Sequence, residues 1–320
     1  MPEFASRAAT TAFVPPEVLI DQVPSALETG RAVPSYTLRV TASSSETTRL
    51  PRIAILGAGS MGGAILAGLR RSAAADDGVV VTTRSAESAA RMSADGIEVL
   101  SLETAPDANR RAVAGAGLVL LAVKPAMIAD LLREIADALE PDAIVVSVAA
   151  GVTTASMEAL VANPVVRSMP NTPSLVGLGV TGLSAGSRVD DAQVSLVAAL
   201  FATVGEVIVV PEAQLDALSA VSGSGPAYVF LLIERWTQAA IDLGFAPEQA
   251  RLMVEQTVRG ASELLAGADV DATELRRRVT SPKGTTERAV AVLEEAELRD
   301  LFTRAADAAV ARAKEIAAGS

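Results

Sequence analysis

Residues 52–66 read Arg-Ile-Ala-Ile-Leu-Gly-Ala-Gly-Ser-Met-Gly-Gly-Ala-Ile-Leu. An apolar strand runs directly into a turn holding Gly57, Gly59 and Gly62, and an Ala/Leu/Gly helix follows. Each glycine has a separate physical task. Gly57 permits the tight turn, Gly59 lets backbone approach an anion with no Cβ in the way, and Gly62 lets the helix pack close to the sheet. The free N–H groups at the helix start then point at that anion, which is what a dinucleotide pyrophosphate requires. The plain alternative is an ordinary strand–turn–helix with no ligand. Either way, the first structural unit is a βα unit and a parallel sheet is expected.

The bulk numbers narrow the rest. A chain of 320 residues has room for two domains, and 50% apolar content supports a large core. A net charge of −11 argues against a nucleic-acid partner, because phosphate neutralisation needs a basic face. The absence of cysteine removes thiol chemistry, and the absence of histidine removes the commonest acid–base group and metal ligand. No acidic cluster suggests a carboxylate metal site, so no metal is expected. The densest apolar window, Val194 to Val210, is broken by Gly205-Glu206 and reads as a helix end followed by a strand. No leader or membrane span is read, so a cytoplasmic protein with no membrane partner is the expectation.

Along the chain, residues 1–50 carry Pro15-Pro16, Pro24, Pro34 and a Ser/Thr run at 43–48, and read as a flexible N-terminal extension. Residues 51–211 alternate strands and helices, with strands near Val79–Thr82, Gly96–Leu100, Leu118–Val123, Ala143–Val148, Pro164–Met169, Gly179–Ser184 and Glu206–Val210. From 212 to 320 the strand signal stops, and helices open at Pro226 and Pro247, where a first helical position tolerates proline. The expected fold is α/β: an N-terminal Rossmann-like parallel-sheet dinucleotide domain plus a C-terminal all-α domain for substrate and dimerisation. Several of these helices are apolar on more than one side, so a partner subunit is a natural cover.

The chemistry-bearing residues cluster at strand and helix ends. The second strand ends in Thr82-Thr83-Arg84-Ser85 with no carboxylate, where NAD-binding sheets usually place an acid. Arg84 with neighbouring hydroxyls suits a 2′-phosphate and favours NADPH, the alternative being a solvated loop arginine. Of the 27 basic residues, Lys124, Lys283 and Lys314 are the lysines. Lys124 closes the fourth strand in Ala122-Val-Lys-Pro125, either beside a cofactor or as a surface turn. Ala149-Ala-Gly151 and the Ser168–Pro173 turn offer small or rigid strand ends. Two loops, Ser222-Gly-Ser-Gly-Pro-Ala-Tyr228 and Ser281-Pro-Lys-Gly-Thr-Thr286, each open a helix, and the second makes an anion cup sized for one carboxylate. Capped helices with no ligand are the alternative for both.

With these pieces in place, residues 52 to about 300 resemble the pyrroline-5-carboxylate reductase family. The resemblance rests on the 57–62 turn, Ala122–Pro125, Ala149–Thr153, Asn171-Thr-Pro173, Ser222–Tyr228 and Val279–Thr286; residues before Arg52 are not covered. It implies reduction of 1-pyrroline-5-carboxylate to L-proline by hydride from NAD(P)H, with NADPH expected and NADH open. It implies cofactor contacts at Gly57, Ala58, Gly59, Ser60, Met61, Gly62, Arg84, Ser85 and Asn109, and at Ala122, Val123, Lys124, Pro125, Val148, Ala149 and Ala150. Around the substrate it places Glu212, Ser281, Thr285 and Thr286. Ser281 and the N–H groups of Thr285 and Thr286 would grip the carboxylate, while the Thr286 hydroxyl bonds the ring nitrogen. A protonated imine is already electrophilic, so positioning would suffice and the missing histidine is no obstacle.

Three positions depart from or vary within the family pattern: Lys283 stands where glycine is common, Thr83 where asparagine is common, and Arg278 where some members carry a cofactor-contacting asparagine. The resemblance also implies a helix-swapped dimer able to assemble into a decamer. Two other readings remain at this level. One is a β-hydroxyacid dehydrogenase, which would need a catalytic helical lysine where this chain offers Lys314. The other is a nucleotide-sensing protein without chemistry.

Overall fold

The apolar runs read from the sequence become strands buried on both faces. The computed structural model describes residues 17–22, 36–41, 49–72, 78–93 and 97–317. Its strands are β1 (Glu17–Gln22), β2 (Tyr36–Thr41), β3 (Ile53–Leu56), β4 (Val79–Thr83), β5 (Ile97–Ser101), β6 (Leu118–Leu121), β7 (Ile144–Ser147), β8 (Val165–Met169), β9 (Gly179–Ala185) and β10 (Gly205–Val209). The helices are α1 (Ser60–Ser72), α2 (Ala86–Met92), α3 (Ala108–Val113), α4 (Ile128–Ile135), α5 (Thr154–Glu158), α6 (Asp191–Ala202), α7 (Leu215–Leu218), α8 (Gly225–Asp242), α9 (Pro247–Ala266), α10 (Ala272–Arg278), α11 (Thr285–Glu294) and α12 (Leu298–Ala317).

The strands form one sheet in the order β1-β2-β10-β9-β8-β7-β6-β3-β4-β5. From β8 to β5 every pairing is parallel, with Ile53 opposite both Val79 and Leu118. The chain winds outward from β3 through β4 and β5, then crosses back to β6, β7 and β8. The strand order therefore reverses between β3 and β6, and a crevice opens at their carboxyl ends. Alternate side chains of β3 sort to opposite faces: Ile53 and Ile55 pack with α1 and α6 residues such as Ile65 and Phe201. Ala54 and Leu56 pack with Ile128, Leu132 and Ile135 of α4. That two-sided burial is why β3, β4 and β6 read as unbroken apolar runs. With so few aromatics, Phe201 is the largest side chain buried in this core.

The reading of residues 1–50 as a flexible extension needs correction at two places. Glu17–Gln22 and Tyr36–Thr41 pair antiparallel, and β2 meets β10 at Tyr36 and Val209. The short runs Val18-Leu-Ile20 and Tyr36-Thr-Leu38 supply β-forming residue types, hidden in the sequence by the proline-rich text around them. The remaining parts of that segment, 1–16, 23–35 and 42–48, lie outside the described residues.

The chain divides into two compact units, one running to Ser219 with the last residues from Ala313, the other Ala220–Arg312. Residues Glu212–Ser219, expected to open the helical half, thus pack with the first unit. In the second unit few side chains are buried; Ala240, Ala250 and Val254 are examples. Phe230 is 65% exposed, Leu243 80%, Leu252 66% and Leu264 71%. Helices this apolar and this open need a cover beyond their own unit. The helical stretch Glu212–Asp242 is also long and apolar enough to cross a membrane, at mean hydropathy 1.3. The expectation that no segment has that character is corrected for length and composition. The same apolar surface is what a helix–helix interface uses.

Candidate active site

The carboxyl end of β3 enters its turn as the glycine pattern requires. Gly57 has φ +89°, in the left-handed region that glycine enters without strain. Its N–H and that of Ala58 both donate to the Thr82 carbonyl, at 3.2 and 3.0 Å. A Cβ on Gly62 would lie 2.7 Å from the Gly57 carbonyl oxygen, so the close approach of α1 depends on that glycine. A Cβ on Gly59 would meet nothing within 4 Å. The first bond inside α1 runs from Gly63 N–H to the Gly59 carbonyl at 2.9 Å. The N–H groups of Ser60, Met61 and Gly62 therefore have no helical acceptor, and no acidic residue stands in that first turn. Open space above unpaired donors at a positive helix end fits a pyrophosphate.

A cavity of about 750 Å³ extends from this turn. The turn residues Gly57 to Gly59, the strand-end residues Ala122 to Lys124, and Arg84, Ser85 and Asn109 all line it, as the sequence reading expects. Ser60, Met61 and Gly62 instead build the first turn of α1. Pro125 lines a separate apolar cavity of about 390 Å³ with Gly151 and Met157. Val148 and Ala149 pack into the two cores, and Ala150 is exposed; none of the three lines the larger cavity. Sequence reasoning missed Met127, Leu131 and Glu134, which α4 and the turn before it bring to the cavity wall.

The hydroxyls beside Arg84 are less available than the sequence suggests. Thr82 is buried, accepts from Gly57 N–H at 3.2 Å and donates to Asn109 Oδ1 at 2.9 Å. The Thr83 hydroxyl donates to the Ser85 carbonyl. Ser85 caps α2, its Oγ accepting from Ser88 N–H at 3.3 Å. The Arg84 and Lys124 side chains are exposed and carry no hydrogen bond or ion pair among the described residues. Two free cations on the cavity wall suit phosphate groups.

In the second unit, Ser281–Thr286 forms the expected turn into α11. Gly284 N–H donates to the Ser281 carbonyl at 3.0 Å, and a Cβ on Gly284 would lie 2.5 Å from Ser281 Oγ. Lys283 has φ +63°, so glycine is the unstrained choice there and lysine costs about 1 kcal/mol. Its N–H donates to Glu287 Oε2 at 2.8 Å, which steadies the turn. The N–H groups of Thr285 and Thr286, first in α11, have no helical acceptor. Ser281, Thr285 and Thr286 thus share one donor-rich turn.

Two other expected positions have partners within the protein. Arg278 Nε bonds Glu274 at 2.9 Å. Arg277 first, and Arg278 with it, hold the Glu274 carboxyl down to about 2. Glu212 belongs to the first unit. Its carboxylate accepts from Thr154 N–H at 2.8 Å and Thr154 Oγ1 at 2.7 Å, and pairs with Arg167 at 3.4 Å. The Ser222–Tyr228 loop also differs from expectation. Pro226 does stand in the first turn of α8. However, Ser219–Gly223 before it form a π-helical turn directly after α7, and Ser224, in αR backbone, stands at the N-cap of α8, so most of the expected loop is helical.

Comparison with known proteins places these features in context. Residues 212–316 match a family model described as pyrroline-5-carboxylate reductase dimerisation. Residues 52–151 match one described as NADP oxidoreductase, coenzyme F420-dependent. The chain is 40% identical over 271 residues to the pyrroline-5-carboxylate reductase of Pseudomonas aeruginosa, covering 83% of this chain and 97% of that one. Against the Mycobacterium tuberculosis reductase it is 40% identical over 290 residues, covering 83% and 95%. A solved Coxiella burnetii pyrroline-5-carboxylate reductase superposes with TM-score 0.78 at 40% identity, covering 83% and 98%. A Plasmodium falciparum pyrroline carboxylate reductase with NADP bound gives 0.70 at 25%, with the same coverage.

Proposed function

The chain belongs to the pyrroline-5-carboxylate reductase family, and we infer from that premise that it reduces 1-pyrroline-5-carboxylate to L-proline at the expense of a nicotinamide dinucleotide. The observation that carries the cofactor half is the open, donor-lined space at Gly59. The reduced nicotinamide, when bound, supplies the hydride for the imine carbon, the ring carbon on the side of the nitrogen away from the carboxylate. The chain's own part is to bind and to orient. The unpaired N–H groups at the start of α1 hold the pyrophosphate, and Lys124 screens its charge. Ser281 Oγ and the N–H groups of Thr285 and Thr286 hold the substrate carboxylate. The Thr286 hydroxyl bonds the ring nitrogen and guides its protonation. No imidazole is needed for any of these roles.

NADPH is the proposed donor in preference to NADH, because Arg84 is a free cation at the cavity and the second strand ends without a carboxylate. Replacing Arg84 by alanine should lower the kcat/KM ratio of NADPH over NADH by about tenfold or more, the effect of one charge-assisted contact. An unchanged ratio in steady-state assays removes Arg84 from that role. Thr286→Ala should lower kcat/KM for pyrroline-5-carboxylate about tenfold to 150-fold, and full activity would exclude the hydroxyl from the mechanism. The reading as a whole is tested by a substrate panel. NADPH and NADH oxidation is followed with pyrroline-5-carboxylate and with the β-oxo acids (semialdehydes) that correspond to β-hydroxyacids, and turnover confined to the oxo acids would overturn it.

Self-association follows from the dimerisation region and the uncovered apolar helices of the second unit. A helix-swapped dimer, its assembly into a decamer and a cytoplasmic location are further parts of the proposal. Sedimentation of the full chain reads the first two.

A further inference from the structure

We infer that Glu134 selects the base of the dinucleotide, an inference that rests on the dinucleotide reading of the cavity. The cavity wall changes character away from the glycine turn. Leu102, Pro106, Met127 and Leu131 give it apolar faces, suited to a flat ring, and Asp130 and Glu134 stand among them as carboxylates. A carboxylate only accepts hydrogen bonds and repels phosphate, so this part of the wall suits a base carrying a donor.

Of the two carboxylates, Glu134 is the one fixed in place. The Thr82 hydroxyl accepts from Gly57 N–H and so directs its own proton to Asn109 Oδ1. Asn109 is 6% exposed, and its Nδ2 then has one direction left. It donates to both oxygens of Glu134, at 3.2 and 3.3 Å. A relay of three groups, Gly57 in the turn after β3, Thr82 of β4 and Asn109 of α3, thus fixes the Glu134 carboxylate of α4 as an acceptor, with further lone pairs free for the cavity. Asp130 is instead engaged by Arg133 on the exposed side of α4.

Adenine presents an exocyclic amine, a donor that Glu134 can accept. Hypoxanthine presents a carbonyl at the same position, which a carboxylate repels. The wild-type chain should bind NADP⁺ about tenfold or more tightly than nicotinamide hypoxanthine dinucleotide phosphate, the effect of one charge-assisted bond. Calorimetric titration of both dinucleotides reads this as a ratio of Kd values, with no turnover involved. Glu134→Gln keeps an oxygen for Asn109 and adds a group able to donate, so its ratio should fall to near one. Equal affinities in the wild type, or the same ratio in the variant, would overturn the inference. The wild-type titration stands by itself if the variant fails to fold. Failure of the wild type to bind either dinucleotide would instead overturn the cofactor reading beneath it.

Discussion

Gly59→Ala should leave thermal unfolding where it is and weaken NADP⁺ binding about 100-fold. A Cβ at position 59 meets nothing in the protein within 4 Å, and the backbone there is outside the left-handed region, so the folded chain accepts the methyl group without strain. The methyl would occupy the space above the unpaired N–H groups of Ser60 and Met61, where the pyrophosphate must approach. Losing two charge-assisted contacts costs about 3 kcal/mol, which is roughly 100-fold in Kd. Gly62→Ala provides the contrast. Its Cβ would stand 2.7 Å from the Gly57 carbonyl oxygen and 3.2 Å from Ala122 Cβ, so α1 must move away from the turn. That overpacking should cost about 1–3 kcal/mol of stability. Differential scanning calorimetry and dinucleotide titration on both variants separate the two glycines. A stability loss at Gly59 with binding retained would sink the anion assignment.

The parts of the fold legible in the sequence are those fixed by local pattern. Ile53–Leu56, Val79–Thr83 and Leu118–Leu121 read as buried strands because helices cover both faces of the sheet. The glycine turn is legible because each glycine answers a local demand of backbone or space. The strand-end residues Arg84 and Lys124 followed from the parallel topology. What stayed hidden depends on which distant segments meet. Asn109 and Glu134 are 25 residues apart, and no spacing rule joins them until α3 and α4 pack on the sheet. The ion pair of Glu212 with Arg167 joins positions 45 apart, and no spacing rule announces it. Pro226 correctly marked the first turn of α8, but proline does not tell whether the residues before it are already helical. Lys283 departs from glycine at a position whose φ of +63° explains the preference.

Arg167→Met should lower stability by about 3 kcal/mol. Arg167 lies on β8 with its side chain 6% exposed, between Glu212 at 3.4 Å and Asp216 at 3.0 Å. Methionine fills most of the space but leaves two carboxylates facing one another, with Thr154 still donating to Glu212. Breaking a buried ion pair on one side costs about 3–5 kcal/mol. The carboxylates remain 29% and 28% exposed, so water softens the loss toward the lower figure. For a unit of this size that lowers Tm by about 6–12 °C, measured at fixed protein concentration because self-association also stabilises the fold. The triple variant Arg167→Met, Glu212→Gln, Asp216→Asn removes the uncompensated charge and should recover most of the loss, because the cost lies in stranding the carboxylates. Arg167 Nε, buried without a partner, shows that the guanidinium is itself incompletely satisfied, so the intact triad is worth less than its breakage costs. A triple variant no more stable than Arg167→Met would mean that packing at β8, and not charge, sets the stability of this corner.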